Sequence, residues 1–318
     1  MRDGEGGALV RRWNHHWDRV SFILNSVMVS RSSGSVVRES HKRFSMSAVE
    51  QSTTRAGVRS FKKVRFGGSP LVMITAYDAA MAALAEEAGA DILLVGDSVG
   101  MTLLGYSTTV PVTMDAMVHH TAAVVRGTSR AMVVGDMPFL SCHLGEGEAV
   151  RNAGRFLQEA GAGAVKVEGG EAMAPLIRRL VQAGIPVVGH IGLQPQSVLV
   201  QDGYRIQGRS EVQAEQVKRD ALAVQAAGAF CVVLECIPAT LATEITAMLE
   251  IPTIGIGAGR SCDGQVQVMP DLLGLSGAAT PRHAKQYADV ATIVRDALRR
   301  YADEVRNGSF PGNEQSPK

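Results

Sequence analysis

The stretch "AGADILLVGDS", residues 88–98, sends four consecutive apolar residues, Ile92 to Val95, toward a carboxylate at Asp97. A run that is apolar at every position reads as a strand buried on both faces, so a charge at its end needs something to offset its desolvation. The same stretch opens on the tail of an Ala-rich helical pattern. It is therefore a helix-to-strand junction, and the unit recurs: "(E/Q)AGA" or "AAGA" stands before a Val-rich run at 87, 159 and 226, with "QAGIPVV" at 182.

Working outward, eight short β-rich runs appear from Leu71 onward: "LVMITAY", "DILLVGD", "AMVVGDMP", "AVKVEGG", "PVVGHIG", "CVVLECIP", "PTIGIGAG" and the weaker "QVQVMP". Between them lie helical patterns such as "DAAMAALAEEAG", "EGEAVRNAGRFLQEAG", "EAMAPLIRRLVQAG" and "VKRDALAVQAAG", each ending at a Gly suited to a left-handed C-cap. Eight βα units in about 250 residues suit a closed parallel (β/α)8 TIM barrel better than a doubly wound open sheet. The predicted barrel domain covers residues 56–318. Its reactive groups belong at the C-terminal ends of the strands.

Composition narrows the function. The 318 residues are 46% hydrophobic and 20% charged, and 32 basic side chains nearly balance 31 acidic ones, so no global field favours nucleic acid or an anionic membrane. A small-molecule partner is expected. The apolar run at 20–29 is about half of what a spanning helix needs, which argues against a membrane segment. Cys142, Cys231, Cys236 and Cys262 form no CxxC pair and suit reduced thiols in a cytosol-like compartment, without disulfide or zinc.

Residues 1–55 differ from the rest. They carry Trp13, Trp17, His15, His16 and many Arg and Ser, with no strand pattern. Three readings stand: a disordered extension, a reading frame begun before Met46, or an organellar presequence, against which Asp3, Glu5, Asp18 and Glu39 count. The expected location is cytoplasmic, or mitochondrial if the extension is a presequence.

The strand ends carry Asp97 and Ser98, Asp136, Lys166 and Glu168, His190, and Glu235. Lys166 and Glu168, two apart in one strand, share a face, and an Ala- and Leu-rich helical shell offers them no partners, so they point to the lumen mouth. Three carboxylates converging there, Asp97, Asp136 and Glu168, repel one another unless a cation is present, and magnesium takes such oxygen ligands. An α-keto acid chelating that ion through ketone and carboxylate would have an acidified neighbouring carbon. The competing account is a set of inward charges paired only for packing, as in a non-catalytic barrel.

Glu235, between Leu234 and Cys236, sits in apolar surroundings suited to a base near neutrality, unless it is a buried structural acid. His190 either polarises a substrate oxygen or is a hydrogen-bonded core residue. "GIGAGR" at 255–260 either holds an anion with backbone N–H groups or packs tightly; its spacing is not the dinucleotide fingerprint. His119 and His120, adjacent on a helix, cannot easily clasp one metal and read as exposed surface. The long segment at 194–209, with Tyr204, Arg205 and Arg209, reads as a lid, a binding loop or a subunit contact.

Taken in order, these segments closely resemble the ketopantoate hydroxymethyltransferase family. The resemblance rests on "ITAYD", "LLVGDSVGM", "TTVPVTMDAMVHHTAAVVRG", "GDMPF", "VKVEGG", "GHIGLQPQSV", "GYRIQGR", "VLECIP", "IPTIGIGAGRSCDGQVQVMPDLLGL" and "NGSFPG", spanning roughly residues 60–315. It implies a magnesium-dependent (β/α)8 barrel, with one ion per subunit, that moves a one-carbon unit from 5,10-methylenetetrahydrofolate onto 3-methyl-2-oxobutanoate. The product implied is 2-dehydropantoate, in pantothenate and coenzyme A biosynthesis. By motif, Asp97, Asp136 and Glu168 match the magnesium site, and Ser98 and Lys166 match groups that hold the keto acid. Glu235 matches the proton acceptor that generates a magnesium-stabilised enolate, and His190 lines the same pocket. The family also implies a homo-oligomer, commonly a decamer. Two departures stand out: "DAAMAAL" lacks the aromatic often found beside that Asp, and residues 1–55 have no counterpart. A magnesium-dependent barrel of another kind, such as a carbon–carbon lyase or a phosphonopyruvate-type enzyme, would share the enolate logic.

Overall fold

The computed structural model describes residues 55–200, 203–277 and 281–317. All of the amino-terminal extension before Arg55, including the apolar run at 20–29, lies outside the described residues. Arg55 itself is held by the barrel: its guanidinium donates to Thr128 Oγ1 and to the carbonyls of Val125, Thr128 and Ala131.

Helix α1 (Val58–Lys62) precedes the first strand and buries Phe61 against the Phe230 ring, 6.1 Å away. Phe61 belongs to the apolar cluster that fills the lumen with Leu71, Met73, Ile92, Met132 and Ile254, which closes the barrel from that end. The strands are β1 (Leu71–Thr75), β2 (Ile92–Val95), β3 (Met132–Asp136) and β4 (Ala164–Glu168). They continue with β5 (Val187–Gly192), β6 (Cys231–Glu235), β7 (Thr253–Ile256) and β8 (Gly264–Gln267). All pair in parallel and in chain order, and β8 returns to β1 with Leu71 opposite Gly264, closing the barrel. All eight β-rich runs read from the sequence are strands, the weak "QVQVMP" included.

Helices α2 (Ala79–Glu87), α3 (Val99–Thr102) and α4 (Met114–Arg126) follow the first two strands. Helices α5 (Glu146–Gln158), α6 (Ala174–Gln182), α7 (Glu211–Ala226) and α8 (Ala239–Met248) follow the next four. The expected left-handed glycines are present after α2, α5, α6 and α7, where Gly89, Gly161, Gly184 and Gly228 have φ of 98°, 75°, 84° and 100°. A side chain would strain each of these corners, which turn the chain from shell into sheet. Small residues serve packing too: a Cβ on Gly135 in β3 would lie 2.3 Å from the Phe156 ring of α5.

The pattern breaks at the end of the barrel. No helix separates β7 from β8, and β8 is followed by α9 (Met269–Leu273) and α10 (Val290–Asn307). No residue of α10 is buried, although Val294, Leu298, Tyr301 and Val305 form an apolar stripe at helical spacing. On β1 the outward-facing Val72 is 44% exposed, and its neighbour Gln265 in β8 is exposed too, whereas β2 and β3 are buried throughout. Among the described residues no helix is long and apolar enough to cross a membrane. All four cysteines are free thiols.

One buried acid ties the shell together. Glu86, at the end of α2, accepts from the N–H groups of Ser129, Arg130 and Ala131 and from the Ser129 hydroxyl. Burial alone would raise its pKa, but these donors outweigh it and hold the carboxyl below its ordinary value of 4.5. A depressed folded-state pKa adds stability that is present above the unfolded value and is lost as pH falls through the folded one. Glu86→Gln should therefore cost about 1–3 kcal/mol at neutral pH. In urea unfolding, the gap between wild type and variant should close as the pH drops below 4.5.

Candidate active site

Strand register builds the site. Asp136 at the end of β3 stands opposite Lys166 in β4, and Glu168 stands opposite His190 in β5, so four polar side chains fall on neighbouring inward positions. Lys166 Nζ lies 2.8 Å from Asp136 Oδ1, 3.3 Å from Glu168 Oε1 and 3.0 Å from His190 Nδ1. Glu168 and His190 are within its hydrogen-bond geometry, whereas Asp136 meets it as an ion pair alone. Asp97, in the turn after β2, donates its N–H to Asp136 Oδ2 at 3.0 Å and receives the Gln196 amide on Oδ2 at 2.9 Å. The Gln196 N–H also reaches Glu168 Oε2, so one residue spans two of the acids.

Next to Asp97, the Ser98 hydroxyl meets Tyr77 Oη at 2.9 Å, and the Tyr77 carbonyl accepts from His120 Nδ1 at 2.8 Å. His120 is thus a half-buried support for Tyr77 and not free surface; His119 is exposed. The glycines of "GIGAGR" are accounted for by close packing: a Cβ on Gly259 would meet that of Ala239 at 2.6 Å.

Glu235 closes β6, its Oε2 3.0 Å from His190 Nε2 but off the line of a good hydrogen bond. Its backbone is fixed from two sides. Leu193 N–H donates to the Glu235 carbonyl, and a Cβ on Gly192, at φ 92°, would come within 2.3 Å of that oxygen. The next residue, Cys236, holds φ at 48°, a strained value for a side-chain-bearing residue, at the end of the strand that presents the acid. The sequence reading gave Glu235 apolar surroundings; the fold gives it an imidazole neighbour, because the β5–β6 register sets it opposite Gly192, which has no side chain, with His190 two residues below on the same face.

The charges do not cancel. Asp97, Asp136, Glu168 and Glu235 are four acids facing one ammonium and one imidazole. Burial, and then the charges of Asp136 and Glu168, hold the Asp97 carboxyl well above the usual carboxylate range. Burial likewise raises Asp136, against the pull of Lys166. For Glu168 burial is outweighed by the Lys166 charge and the His190 hydrogen bond, and its pKa falls to about 2. For Lys166 burial is outweighed by Asp136, Glu168 and Asp97, and it stays charged. Burial and Lys166 push His190 down, but Glu168 and Glu235 lift it to about 9. With the Lys166 ammonium 3.0 Å away, Nδ1 accepts in the neutral ring; in the protonated ring Nδ1–H turns to Glu168 Oε1, 3.4 Å away, and the ammonium gives way. In either protonation state Nε2 carries a proton toward Glu235.

A divalent cation fits this arrangement on two counts. It would relieve the acid excess that raises Asp97, and Asp136 Oδ1 is a buried acceptor without a hydrogen-bond donor, despite the nearby ammonium. Among the described residues no group of three or more His, Cys, Asp and Glu side chains is arranged to hold a metal by itself. Magnesium, bound through one or two carboxylates with water and substrate oxygens completing its shell, asks for less than such a cage.

All seven candidates, Asp97, Ser98, Asp136, Lys166, Glu168, His190 and Glu235, line one cavity of about 540 Å³. The segment after β5 covers it with Tyr204, while Arg205 and Arg209 stand exposed and away from it. Gln196 and Asp271 were missed in the sequence. Gln196 lies in the long segment whose length alone pointed to function, whereas Asp271, in "QVQVMPDLLGL", carried no local signal.

A closed parallel barrel whose rim gathers carboxylates, a lysine and a histidine in one recessed cavity has the architecture of a barrel enzyme. The family model for ketopantoate hydroxymethyltransferase matches residues 55–313. The chain belongs to that family. It is 58% identical over 264 residues to the 3-methyl-2-oxobutanoate hydroxymethyltransferase of Chloroflexus aurantiacus, covering 83% of this chain and 93% of that one. It is 53% identical over 265 residues to the enzyme of the same name from Moorella thermoacetica, covering 83% and 98%. Solved structures share the fold at lower identity. A phosphoenolpyruvate phosphomutase from Streptomyces platensis subsp. rosaceus superposes with TM-score 0.53 and 14% identity, over 80% of this chain and 88% of that one. A 2,3-dimethylmalate lyase gives 0.53 and 17%, over 82% and 91%.

Lys166 is the keystone of the cluster. Lys166→Met leaves buried carboxylates uncompensated and should destabilise the chain by about 3–5 kcal/mol. Adding Asp136→Asn and Glu168→Gln should recover much of that loss, as read by urea unfolding of the single and triple variants.

Proposed function

We propose that this chain is a 3-methyl-2-oxobutanoate hydroxymethyltransferase that takes its one-carbon unit from 5,10-methylenetetrahydrofolate and uses one magnesium ion per subunit. The product is 2-dehydropantoate, in pantothenate biosynthesis. The observation that carries the reading is the shared cavity: an acid with a free approach, Glu235, faces the same space as the crowded carboxylates Asp97 and Asp136. Family membership supplies the substrate class.

The chain's own residues divide the work. Asp97, Asp136 and Glu168 would hold the ion, Glu168 being also engaged by Lys166, His190 and Gln196. A bound magnesium ion supplies positive charge that offsets the negative charge growing on the keto acid as its C3 proton leaves. Ser98 offers a hydroxyl to the keto acid's carboxylate. Lys166, with Glu168 and His190 on two of its donors, contributes its charge at short range. Glu235 accepts the C3 proton, aimed by the Nε2–H of His190. The carbon–carbon bond then forms between C3 and the one-carbon unit, water supplies the hydroxyl oxygen, and tetrahydrofolate leaves.

A homo-oligomer belongs to the same reading, supported by the uncovered stripe of α10 and the exposed Val72 on β1. A second copy has apolar surface of both kinds to cover. Leu298→Asp with Tyr301→Asp should lower the mass seen by sedimentation; an unchanged mass removes α10 from the interface.

Deuterium exchange at C3 of 3-methyl-2-oxobutanoate tests the chemistry. Exchange should require magnesium, stop with chelator and return when the ion is restored, while net product should also require methylenetetrahydrofolate. Glu235→Gln should bind the keto acid yet exchange roughly 10²–10⁴ times more slowly. Turnover of the keto acid without folate would point instead to a lyase.

A further inference from the structure

The cavity is larger than a five-carbon keto acid requires. Its acid cluster lies on the β2 to β6 side; the opposite side, at the ends of β8 and β1, is lined by Thr75, Val266, Val268, Asp271, Ser276 and His283. Asp271 is 9% exposed and faces this cavity. Its Oδ1 accepts from the Ser276 hydroxyl, and among the described residues it has no ion pair. A carboxylate this enclosed, with no cation beside it, needs a donor from elsewhere.

The support is rigid. The Met269 N–H that opens α9 donates to Thr75 Oγ1 at 3.0 Å, pinning the helix to the end of β1. Gly274, at φ 67°, turns the chain so that Ser276 returns to Asp271, with the Leu275 N–H on the Pro270 carbonyl at 2.8 Å. Above the same cavity, Tyr204 Oη donates to Met101 Sδ, making a flat and partly apolar roof.

An anionic keto acid is repelled by this end. What suits it is a flat ring with two parallel N–H donors on one edge, which a carboxylate accepts side by side. Resting on the transfer reading above, we propose that Asp271, steadied by Ser276, binds the aminopyrimidinone edge of the reduced folate, its 2-amino group and ring N–H, under the Tyr204–Met101 roof. The pterin then lies across the mouth with its one-carbon unit directed to the keto acid. A neighbouring cavity of about 600 Å³ does not serve, because it shares Glu168 with this one but not Glu235 or Lys166.

The test is equilibrium binding to the full chain, using tetrahydrofolate and an analogue lacking the 2-amino group. Wild type should bind the analogue roughly ten- to a hundredfold more weakly, the loss of a hydrogen bond to a charged group. Asp271→Asn should weaken tetrahydrofolate binding to a similar degree and erase the preference, while C3 exchange of the keto acid, which needs no folate, continues. Equal binding of both ligands by wild type overturns the assignment of Asp271, and needs no variant to fold. Failure of wild type to bind tetrahydrofolate at all, with exchange intact, overturns the folate reading itself.

Discussion

A single ammonium buried among carboxylates governs this structure. Lys166 touches Asp136, Glu168 and His190 at once, and each contact answers a different problem. It keeps Glu168 ionised and makes Nδ1 of the neutral His190 ring an acceptor, which leaves the other ring nitrogen protonated toward Glu235. Without it the rim would hold acids that could only neutralise by taking up protons. The barrel supplies what makes such crowding tolerable: eight strands whose ends meet at one level, with an apolar plug below.

The lysine does not finish the balance, however. Asp97 remains above its ordinary pKa range because burial and two neighbouring charges act on it together. The site is therefore poised: it holds enough positive charge to fold and too little to be electrically satisfied, so a cation or a proton must complete it. A metal that keeps open coordination positions for substrate meets that need while leaving room for chemistry. The acid excess also sets a rule for ligands: an anion would need a cation beside it, whereas a donor-bearing group would suit Asp271 directly.

Much of this was legible in the chain. Uninterrupted apolar runs ending in charge marked the strands and their C-terminal ends, and the two-residue spacing of Lys166 and Glu168 assigned them one face. The glycines after α2, α5, α6 and α7 marked the corners. What was not legible came from segments without a period. Gln196 reaches Asp97 from 99 positions away because a loop after β5 folds back over the rim. Asp271 depends on a glycine turn that returns Ser276 to it. His190 and Glu235 were each visible, but their pairing is a matter of register between β5 and β6, which neither strand states alone. His120 looked like surface because its partner is a backbone carbonyl, and no side-chain pattern reports one.

The covering segment after β5 is not loosely hinged. The Gln207 N–H is held by the carbonyl of Cys236, at 2.9 Å, and Cys236 is the strained residue directly after Glu235. Tyr204 lies three positions upstream. One backbone hydrogen bond therefore ties the residues next to the roof to the residue next to the base, so a displacement of Tyr204 would be felt at Glu235. Cover and reagent share an anchor.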